Sequence, residues 1–396
     1  MSSDTWIARG EKHVAATYGR YPLVAVRGEG CRLWDVDGKE YLDFLAGVAV
    51  NNLGHCHPRV VAALQQQAAQ LLHCSNFYHI PSQIELAELL CANSFADRVF
   101  FCNSGVEANE AAIKLARKYS TEKYAADRTG IVTALASFHG RTLAGISATG
   151  QAKVKDGFAP LLPGFSHVPF GDLEALSAAI TTESCAVLLE PLQGEGGVNV
   201  PPAGYLEGVR QLCDERNLLL IFDEIQTGCG RTGPLFAHQH EGVEPDIMTL
   251  AKALAGGPPI GAMLSREEIA TSLGPGTHGS TFGGNPLVTA AGVAALRTLL
   301  EDGVLENGRE MGDYLRSQLE TLQQKYPFVT EVRGRGLILG MELSIDGGEI
   351  VKQALRQGLL INCTVGKVLR FLPPLVVSRE EIDRAVAILD GILQEC

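Results

Sequence analysis

The chain has 396 residues, 46% of them hydrophobic, and a formal net charge of −12. This composition suffices for a large core shared by two or three domains, and the acidic balance without a clustered basic surface argues against a nucleic acid or an anionic membrane as partner. Ten cysteines without a CxxC pair, no secretion signal at the start and no apolar run of membrane-spanning length predict a soluble, cytoplasmic protein.

The N-terminal segment is predicted to begin with a small antiparallel unit. A weakly helical start leads into an extended stretch around Tyr18, Tyr21 and Pro22. Two short strands flank Val36-Asp-Gly38, and Asp-Gly is a strong hairpin signal. The next motif, Gly54-His-Cys-His-Pro58, contains metal-ligating residue types, but no ligand cluster follows at zinc spacing. We therefore expect Pro58 to begin a helix, and we expect no metal site.

A strand, a tight turn and a helix are predicted from residue 98 to residue 119. Arg98–Cys102 is apolar enough for a strand, and Ser104 and Glu107 have the spacing of a capping box at the start of the helix. Free backbone N–H groups at such a helix start also bind phosphate. The two interpretations are compatible, because a capped helix still offers the N–H groups of Gly105 and Val106.

Two further buried strands lead into polar loops. The strand at residues 130–136 precedes Phe138, His139 and Arg141, which could stack on a flat ring and bind a carboxylate, although an ordinary polar loop is the alternative. The strand at residues 185–189 precedes a glycine-rich loop with two acids, Glu190 and Glu195. Acids in such loops are either solvated or part of a site.

The most informative stretch is the apolar run Leu218–Phe222, which ends at Asp223. A second apolar run, residues 247–251, leads to Lys252 among alanines. Ligands bind at the carboxyl ends of buried parallel strands. A desolvated lysine is a nucleophilic amine that can bond to an aldehyde, and an ionised acid is the partner that a pyridinium nitrogen requires. Together these residues predict a pyridoxal-phosphate site.

Nucleotide-binding alternatives fail on sequence context. Gly228-Cys-Gly-Arg-Thr-Gly233 matches the dinucleotide fingerprint, but it does not follow a strand directly and Pro234 comes next. Asp223 and Glu224 imitate the metal-binding acids of a nucleoside triphosphatase, but the required phosphate loop is absent from the sequence. A glycine-dense approach at residues 279–286 precedes a long helix and is either a flexible loop or a second phosphate contact. From Leu305 the pattern changes to a smaller α+β domain.

These motifs, in this order, resemble those of the class III pyridoxal-phosphate-dependent aminotransferases over nearly the whole chain. The motifs that carry the resemblance are Ser104-Gly-Val-Glu-Ala-Asn109, Phe138-His-Gly-Arg-Thr142, Glu190-Pro-Leu-Gln-Gly-Glu195, Phe222-Asp-Glu-Ile-Gln-Thr-Gly228, Lys252-Ala-Leu-Ala-Gly-Gly257 and Gly279-Ser-Thr-Phe-Gly-Gly-Asn-Pro286. Within the family the chain is most similar to the acetylornithine aminotransferases, with ornithine and succinylornithine aminotransferases as near relatives.

The resemblance implies an α/β protein of fold type I. Its large domain would hold a mainly parallel seven-stranded sheet flanked by helices, and the N- and C-terminal segments would form the smaller α+β domain. The implied division is an N-terminal segment at 1–57, a large cofactor-binding domain at 58–290 and a C-terminal small domain at 291–396. A homodimer with its active sites at the interface is also implied.

The resemblance further implies roles for individual residues. Lys252 would bond to the cofactor and then move the proton, and Asp223 would hold the ring nitrogen protonated; these two are the catalytic residues. The implied cofactor-binding residues are Ser104, Gly105, Val106, Phe138, His139, Asp223, Gln226, Lys252 and, reaching the neighbouring subunit's phosphate, Thr281. The implied substrate-binding residues are Arg141, Glu195, Arg370, Ser280, Tyr18 and Tyr21, with Asn76 near the pocket.

The expected reaction is transfer of the terminal amino group of N2-acetyl-L-ornithine to 2-oxoglutarate. Arg141 would bind the donor's α-carboxylate, and Glu195 would neutralise Arg370 until 2-oxoglutarate needs that arginine. Ornithine, succinylornithine and succinyldiaminopimelate remain alternative donors, because the acyl pocket is not legible from these motifs. A catalytically inactive binding protein is the alternative from another class, and intact Lys252 and Asp223 argue against it.

Overall fold

The computed structural model describes residues 1–396. The N-terminal segment contributes a helix, three short strands and a helical turn: α1 (Ser3–His13), β1 (Ala25–Glu29), β2 (Arg32–Asp35), β3 (Glu40–Asp43) and α2 (Ala46–Ala49). β2 pairs antiparallel with both β1 and β3. The connection between β2 and β3 turns at Gly38, whose φ of +88° favours glycine, and Asp35 Oδ1 accepts the N–H groups of Asp37 and Lys39. The hairpin predicted from Asp-Gly is confirmed.

The middle of the chain alternates strands and helices, as a parallel sheet requires. Its elements are α3 (Pro58–Ala68), α4 (Pro81–Ala92), β4 (Arg98–Cys102), α5 (Gly105–Lys123), β5 (Gly130–Ala134), α6 (Leu143–Ala148), β6 (Phe165–Val168), α7 (Leu173–Ala179), β7 (Ser184–Leu189), α8 (Tyr205–Arg216), β8 (Leu219–Asp223), β9 (Ile247–Leu250), β10 (Gly261–Ser265), α9 (Glu267–Ala270) and α10 (Pro286–Glu301). Short 3-10 helices lie at Ala152–Val154, Ala237–His240 and Lys252–Ala255.

Seven of these strands form one sheet in the order β4-β10-β9-β8-β7-β5-β6. The pairs from β9 to β6 are parallel, whereas β10 is antiparallel to both β4 and β9. The carboxyl ends of β4, β7, β8 and β9 therefore share one edge with the beginning of β10. The predicted mainly parallel seven-stranded sheet is confirmed.

The central strand β8 is buried on both faces, which explains its unbroken apolar sequence. Ile221 packs in a cluster with α5 on one side of the sheet, while Leu220 and Phe222 pack with α8 on the other. Successive side chains of a strand point to opposite faces, so both faces need apolar residues. This packing fixes where the strand ends and thus where Asp223 lies.

The C-terminal segment forms the smaller α+β unit. Its elements are α11 (Val304–Lys325), β11 (Val329–Arg335), β12 (Ile338–Leu343), α12 (Gly348–Arg356), β13 (Leu359–Leu360), β14 (Asn362–Thr364), β15 (Val368–Phe371) and α13 (Arg379–Leu393). Four of the strands form an antiparallel sheet in the order β11-β12-β15-β14. β13 instead pairs in parallel with β3 of the N-terminal segment. The two ends of the chain therefore share one sheet. The division of the chain at residues 57 and 290 stays a prediction, and residue 290 lies within α10.

Candidate active site

A cavity with a volume of about 450 Å³ opens at the edge where the parallel strands end. Ten of the residues predicted for the site line it: Ser104, Gly105, Val106, Phe138, His139, Arg141, Glu195, Asp223, Gln226 and Lys252. These residues are far apart in the sequence and come from the ends of β4, β5, β7, β8 and β9 or the loops that follow. The sheet brings them together because parallel strands deliver their carboxyl ends to one edge.

Asp223 is buried at the end of β8, and its two carboxylate oxygens have different surroundings. Oδ2 accepts from Asn109 Nδ2 at 2.8 Å and lies 2.8 Å from His139 Nδ1. Oδ1 accepts only the backbone N–H of Ile225, at 3.1 Å. Since a carboxylate oxygen has two lone pairs, Oδ1 keeps the capacity to accept one more hydrogen bond.

Lys252 follows β9 and begins a short 3-10 helix. Its φ of +43° lies in the left-handed region, which is uncommon for a non-glycine residue and marks a constrained position. Burial lowers the pKa of Lys252 to about 8, although Glu195 and Asp223 oppose that shift. About a tenth of the amine is therefore unprotonated at pH 7, compared with less than a thousandth for an ordinary lysine, and the unprotonated form is the one that acts as a nucleophile.

The start of α5 has the form expected of an anion site. Ser104 caps the helix by accepting the N–H of Glu107 at 3.3 Å, and Glu107 accepts the N–H of Asn103 at 2.5 Å, one residue before the cap. The N–H groups of Gly105 and Val106 have no carbonyl partner within the helix, because they lie in its first turn. A Cβ at Gly105 would lie 2.8 Å from the Ile225 side chain, so the close approach of these segments requires glycine. These features suit a phosphate group.

Arg370, Glu195 and Gln226 form a connected cluster beside the cavity. Arg370 Nη1 lies 2.6 Å from Glu195 Oε1 and 3.2 Å from Gln226 Oε1, and Gln226 Nε2 lies 3.3 Å from Glu195 Oε1. The Arg370 side chain is 1% exposed and that of Glu195 is 31% exposed. Burial tends to raise the pKa of Glu195, but the charges of Arg370 and Lys252 outweigh it and the net pKa is lowered. The pair is thus ionised, with its acid facing the cavity.

Phe138 and Arg141 lie on the loop after β5. The Arg141 guanidinium carbon is 5.5 Å from the centroid of the Phe138 ring, and Arg141 itself is exposed. The Phe138 N–H donates to Glu190 Oε2 at 3.1 Å, and Glu190 Oε1 accepts the N–H of Gly194 at 3.3 Å. Burial raises the pKa of Glu190 to about 7. Glu190 therefore ties the loop that carries Phe138 to the loop that carries Glu195.

Besides Arg370, which lies beside the cavity, four of the predicted binding residues do not line it in the single chain. Ser280 and Thr281 line a second cavity, which shares Asn103 with the first, and Asn103 Nδ2 donates to Ser280 Oγ at 3.0 Å. Tyr18 is 74% exposed, and Tyr21, 46% exposed, lines a separate apolar cavity against residues of β13. The binding roles of these four residues stay predictions.

Several contacts around the site were not expected from the sequence. Asn109 and Thr249 are buried and hydrogen-bonded behind Asp223, and Glu190 lines the cavity instead of being solvated. A signal for Asn109 exists, since it is a polar residue on the apolar, alanine-rich face of α5. His55, from the motif considered for a metal, instead lies 2.7 Å from Asp43 Oδ2, and Pro58 begins α3 as predicted.

Comparison with known proteins identifies the family. The sequence model of the family Aminotransferase class-III matches residues 13–393 of this chain. The chain belongs to the class III aminotransferases. It is similar to the acetylornithine aminotransferase of Caldanaerobacter subterraneus subsp. tengcongensis, with 55% identity over 97% of this chain and 98% of that protein. It is also similar to the acetylornithine aminotransferase of Methanocaldococcus jannaschii, with 52% identity over 100% of this chain and 99% of that protein.

Solved structures of aminotransferases share the fold. The ornithine aminotransferase of Toxoplasma gondii, in which pyridoxal phosphate partly occupies the active site, has a TM-score of 0.96 and 38% identity, covering 100% of this chain and 94% of that one. Class III aminotransferases depend on pyridoxal phosphate, and this chain is a pyridoxal-phosphate-dependent enzyme of fold type I. The residues present fit that cofactor, because a buried acid with a free acceptor position, a lysine of lowered pKa and a capped helix start with free N–H groups line one cavity.

No helix in the chain combines the length and the apolar character needed to cross a membrane.

Proposed function

We propose that this class III aminotransferase moves the terminal amino group of N2-acetyl-L-ornithine to 2-oxoglutarate. The products are N-acetyl-L-glutamate 5-semialdehyde and L-glutamate, a reaction of arginine biosynthesis. The similarity to acetylornithine aminotransferases over essentially their full length supports this donor. The single structural observation that carries the proposal is the buried Arg370–Glu195 pair beside the cavity, with the exposed Arg141 also lining it.

Lys252 is proposed as the residue that bonds covalently to the cofactor's aldehyde carbon. Once the substrate amine has displaced it, the freed Nζ is placed to take the proton from the amine-bearing carbon of the substrate and to return a proton in the reverse half of the cycle. Its lowered pKa suits both tasks, because a group that accepts and donates protons works best when its pKa is near the working pH.

The other cofactor contacts follow from the geometry of the cavity. Pyridoxal phosphate, when bound, supplies the electron sink for the charge that develops when the proton leaves. Asp223, a buried acid with acceptor capacity left on Oδ1, suits the ring nitrogen, and Phe138 suits the ring face. We assign the phosphate to the N–H groups of Gly105 and Val106, and the ring hydroxyl to Gln226.

Arg141, Glu195 and Arg370 are proposed to select the two substrates. Acetylornithine carries one carboxylate, which Arg141 would bind so that the distal amine enters the site. In that state Glu195 keeps Arg370 neutralised. 2-Oxoglutarate has two carboxylates, so the second would displace Glu195 from Arg370, forming the bidentate pair that a guanidinium favours. One cavity then accepts two substrates of different charge.

A homodimer is part of the proposal. Six large apolar side chains are exposed in the single chain, and we call this set the apolar patch: Leu71, Leu72, Phe77, Tyr78, Ile84 and Phe282. The Asn76 side chain donates to the carbonyls of Ser280 and Gly283, so the segment that bears much of this patch packs against the loop of Ser280 and Thr281. A second copy covering the patch would bring that loop towards its own active site, where we assign Thr281 a phosphate contact. Burial of such a patch is a common basis of dimer formation.

A cytoplasmic location fits the ten cysteines, all of which are free thiols.

Half-reactions with purified holoenzyme test the function. Adding N-acetylornithine should remove the visible absorbance band of the lysine-bound cofactor, and 2-oxoglutarate should restore it. Ornithine, succinylornithine and succinyldiaminopimelate, tested side by side, should each have a kcat/KM at least about tenfold lower, since a site built for one polar group rejects analogues that leave its own groups unpaired. Equal values for all donors would overturn the choice of acetylornithine. If the wild-type protein never acquires this absorbance band and Lys252→Ala has the same spectrum, the chain is a binding protein and not an enzyme.

A further inference from the structure

Asn109 is a polar residue in a place where the helix would otherwise be apolar. It lies in the second turn of α5, is fully buried, and has the buried Ala108 and Ala112 as neighbours on the helix. A buried amide is costly unless its donors and acceptor are paired, and asparagine is also a poor helix former. Here the amide is fully used: Nδ2 donates to Asp223 Oδ2 at 2.8 Å and to the His139 carbonyl at 3.0 Å, and Oδ1 accepts from Thr249 Oγ1 at 2.8 Å.

Only one orientation of the Asn109 amide pairs its donors with acceptors and its acceptor with a donor. If the amide were turned around, Oδ1 would face the Asp223 carboxylate and the His139 carbonyl, which are both acceptors. The Thr249 hydroxyl, which comes from β9, reinforces the observed orientation because it donates to Oδ1. Asn109 therefore links α5, the loop after β5, β8 and β9 at a point directly behind the carboxylate.

We propose that Asn109, oriented by Thr249, is a positioning residue that occupies Oδ2 of Asp223 and so leaves Oδ1 as the oxygen that serves the cofactor's ring nitrogen. This inference rests on the proposed role of Asp223 in the proposed function. Asn109 and His139 together use Oδ2, and His139 Nδ1 must carry the hydrogen because an ionised carboxylate has none to donate. The two contacts fix the carboxylate from behind, and the pH profile of the half-reaction serves as the readout because hydrogen bonds to a carboxylate depend on its charge.

The charged and titratable groups that face Asp223 are few. His139 contacts it directly, and Glu190 and Lys252 act on it through their charges. His139 Nε2 is buried without a partner, so a second proton on that ring would be left unpaired. Glu190 titrates near neutral pH and is the group most able to confuse a pH profile, so the test includes a background in which it cannot ionise.

The perturbations are near-isosteric. Asn109→Leu removes both donors, Asn109→Asp places a second carboxylate against Asp223 so that the two acids compete for one proton, and Thr249→Val frees the amide to turn. Ser120→Ala is the matched control, because Ser120 lies buried on the same helix and its hydroxyl has no partner. Each variant is compared by thermal unfolding of the cofactor-free protein, by affinity for pyridoxal phosphate, and by the pH profile of the half-reaction, with the profiles of wild type and Asn109→Leu repeated with Glu190→Gln.

The acid limb of the pH profile should move to higher pH, least in Thr249→Val, more in Asn109→Leu and most in Asn109→Asp, and the shift of Asn109→Leu should persist with Glu190→Gln. Cofactor affinity should fall by roughly 10- to 100-fold in Asn109→Leu, the range for a lost hydrogen bond to a charged group, while Ser120→Ala changes neither quantity. A folded Asn109→Leu or Thr249→Val protein with lower thermal stability but an unmoved acid limb and unchanged affinity would overturn the proposal. If the Asn109 variants do not fold, Thr249→Val decides alone. Binding of pyridoxal phosphate does not involve the amino-group substrate. The affinity test therefore stays valid even if acetylornithine is not that substrate.

Discussion

Replacing Glu195 by glutamine isolates the charge that neutralises Arg370. The substitution keeps the shape of the side chain but removes the negative charge 2.6 Å from Arg370 Nη1, in a site where the arginine side chain is 1% exposed. Gln226 remains beside Arg370 as a neutral acceptor. Arg370 would then be a buried cation without a counter-ion, and it should attract the single carboxylate of acetylornithine away from Arg141.

The size of the effect follows from that contact. A hydrogen bond to a charged group contributes about 1.5–3 kcal/mol, which corresponds to roughly 10- to 100-fold in kcat/KM, since 1.4 kcal/mol is a factor of ten. We expect kcat/KM for acetylornithine to fall by that factor because the donor binds in an unproductive orientation. For glutamate, whose second carboxylate pairs with Arg370, kcat/KM should stay constant or rise, because no acid has to be displaced.

Single-turnover half-reactions with each amino donor measure the two values separately. Glu331→Gln is a suitable control, because Glu331 also pairs with an arginine, Arg333, but on the exposed side of β11. The reasoning is refuted if Glu195→Gln lowers both half-reactions equally, since that would make Glu195 a general part of the site and not a selector of substrates.

Three other predictions follow from the site and its supports. Because burial lowers the pKa of Lys252 to about 8, capture of pyridoxal phosphate by cofactor-free protein should accelerate with rising pH and level off above about pH 8; a rate still rising at pH 10 would show an ordinary lysine. At saturating cofactor, Asp223→Asn should still bind pyridoxal phosphate but lower half-reaction turnover by about 100-fold or more, because the ring nitrogen loses its acid, and turnover within threefold of wild type would contradict that role. Arg231→Met should lower the free energy of unfolding by at least about 3 kcal/mol, since it leaves the carbonyls of Leu337 and Pro373 and the Asn52 side chain without their buried donor; chemical denaturation, with the exposed Arg27→Met as control, measures the difference.

The sequence indicated the centre of the site because local pattern and chemistry agreed there. The unbroken apolar run before Asp223 suits a strand buried on both faces, and Lys252 among alanines lacks the polar neighbours of a solvated lysine. Both conclusions depended on neighbours in the chain, which a sequence displays. The capped start of α5 was predictable for the same reason, since Ser104 and Glu107 are three residues apart.

The support behind these residues depends on contacts between distant segments, which local pattern does not display. Asn109 and Asp223 meet through the packing of α5 on β8, and nothing in either segment alone indicates that hydrogen bond. The glycines at residues 228–233, dismissed as a nucleotide motif, surround Arg231, whose guanidinium joins the large domain to both ends of the chain. Gly230 and Gly336 are packed too tightly for a Cβ. These glycines allow close packing of segments, and that purpose is visible only in three dimensions.

The antiparallel course of β10 has a consequence for how the active site assembles during folding. β9 and β10 are neighbours in both sequence and space, so the loop that carries Lys252 is closed by a local hairpin and costs little chain entropy. The start of α5, which we propose binds the phosphate, reaches the same loop only when β4 docks on β10, and that pairing joins residues more than 150 positions apart, such as Cys102 and Gly261. Contacts of such long range form slowly. We therefore expect Lys252 to be placed by an early, local pairing, and the proposed phosphate site to be completed only by a later, long-range one.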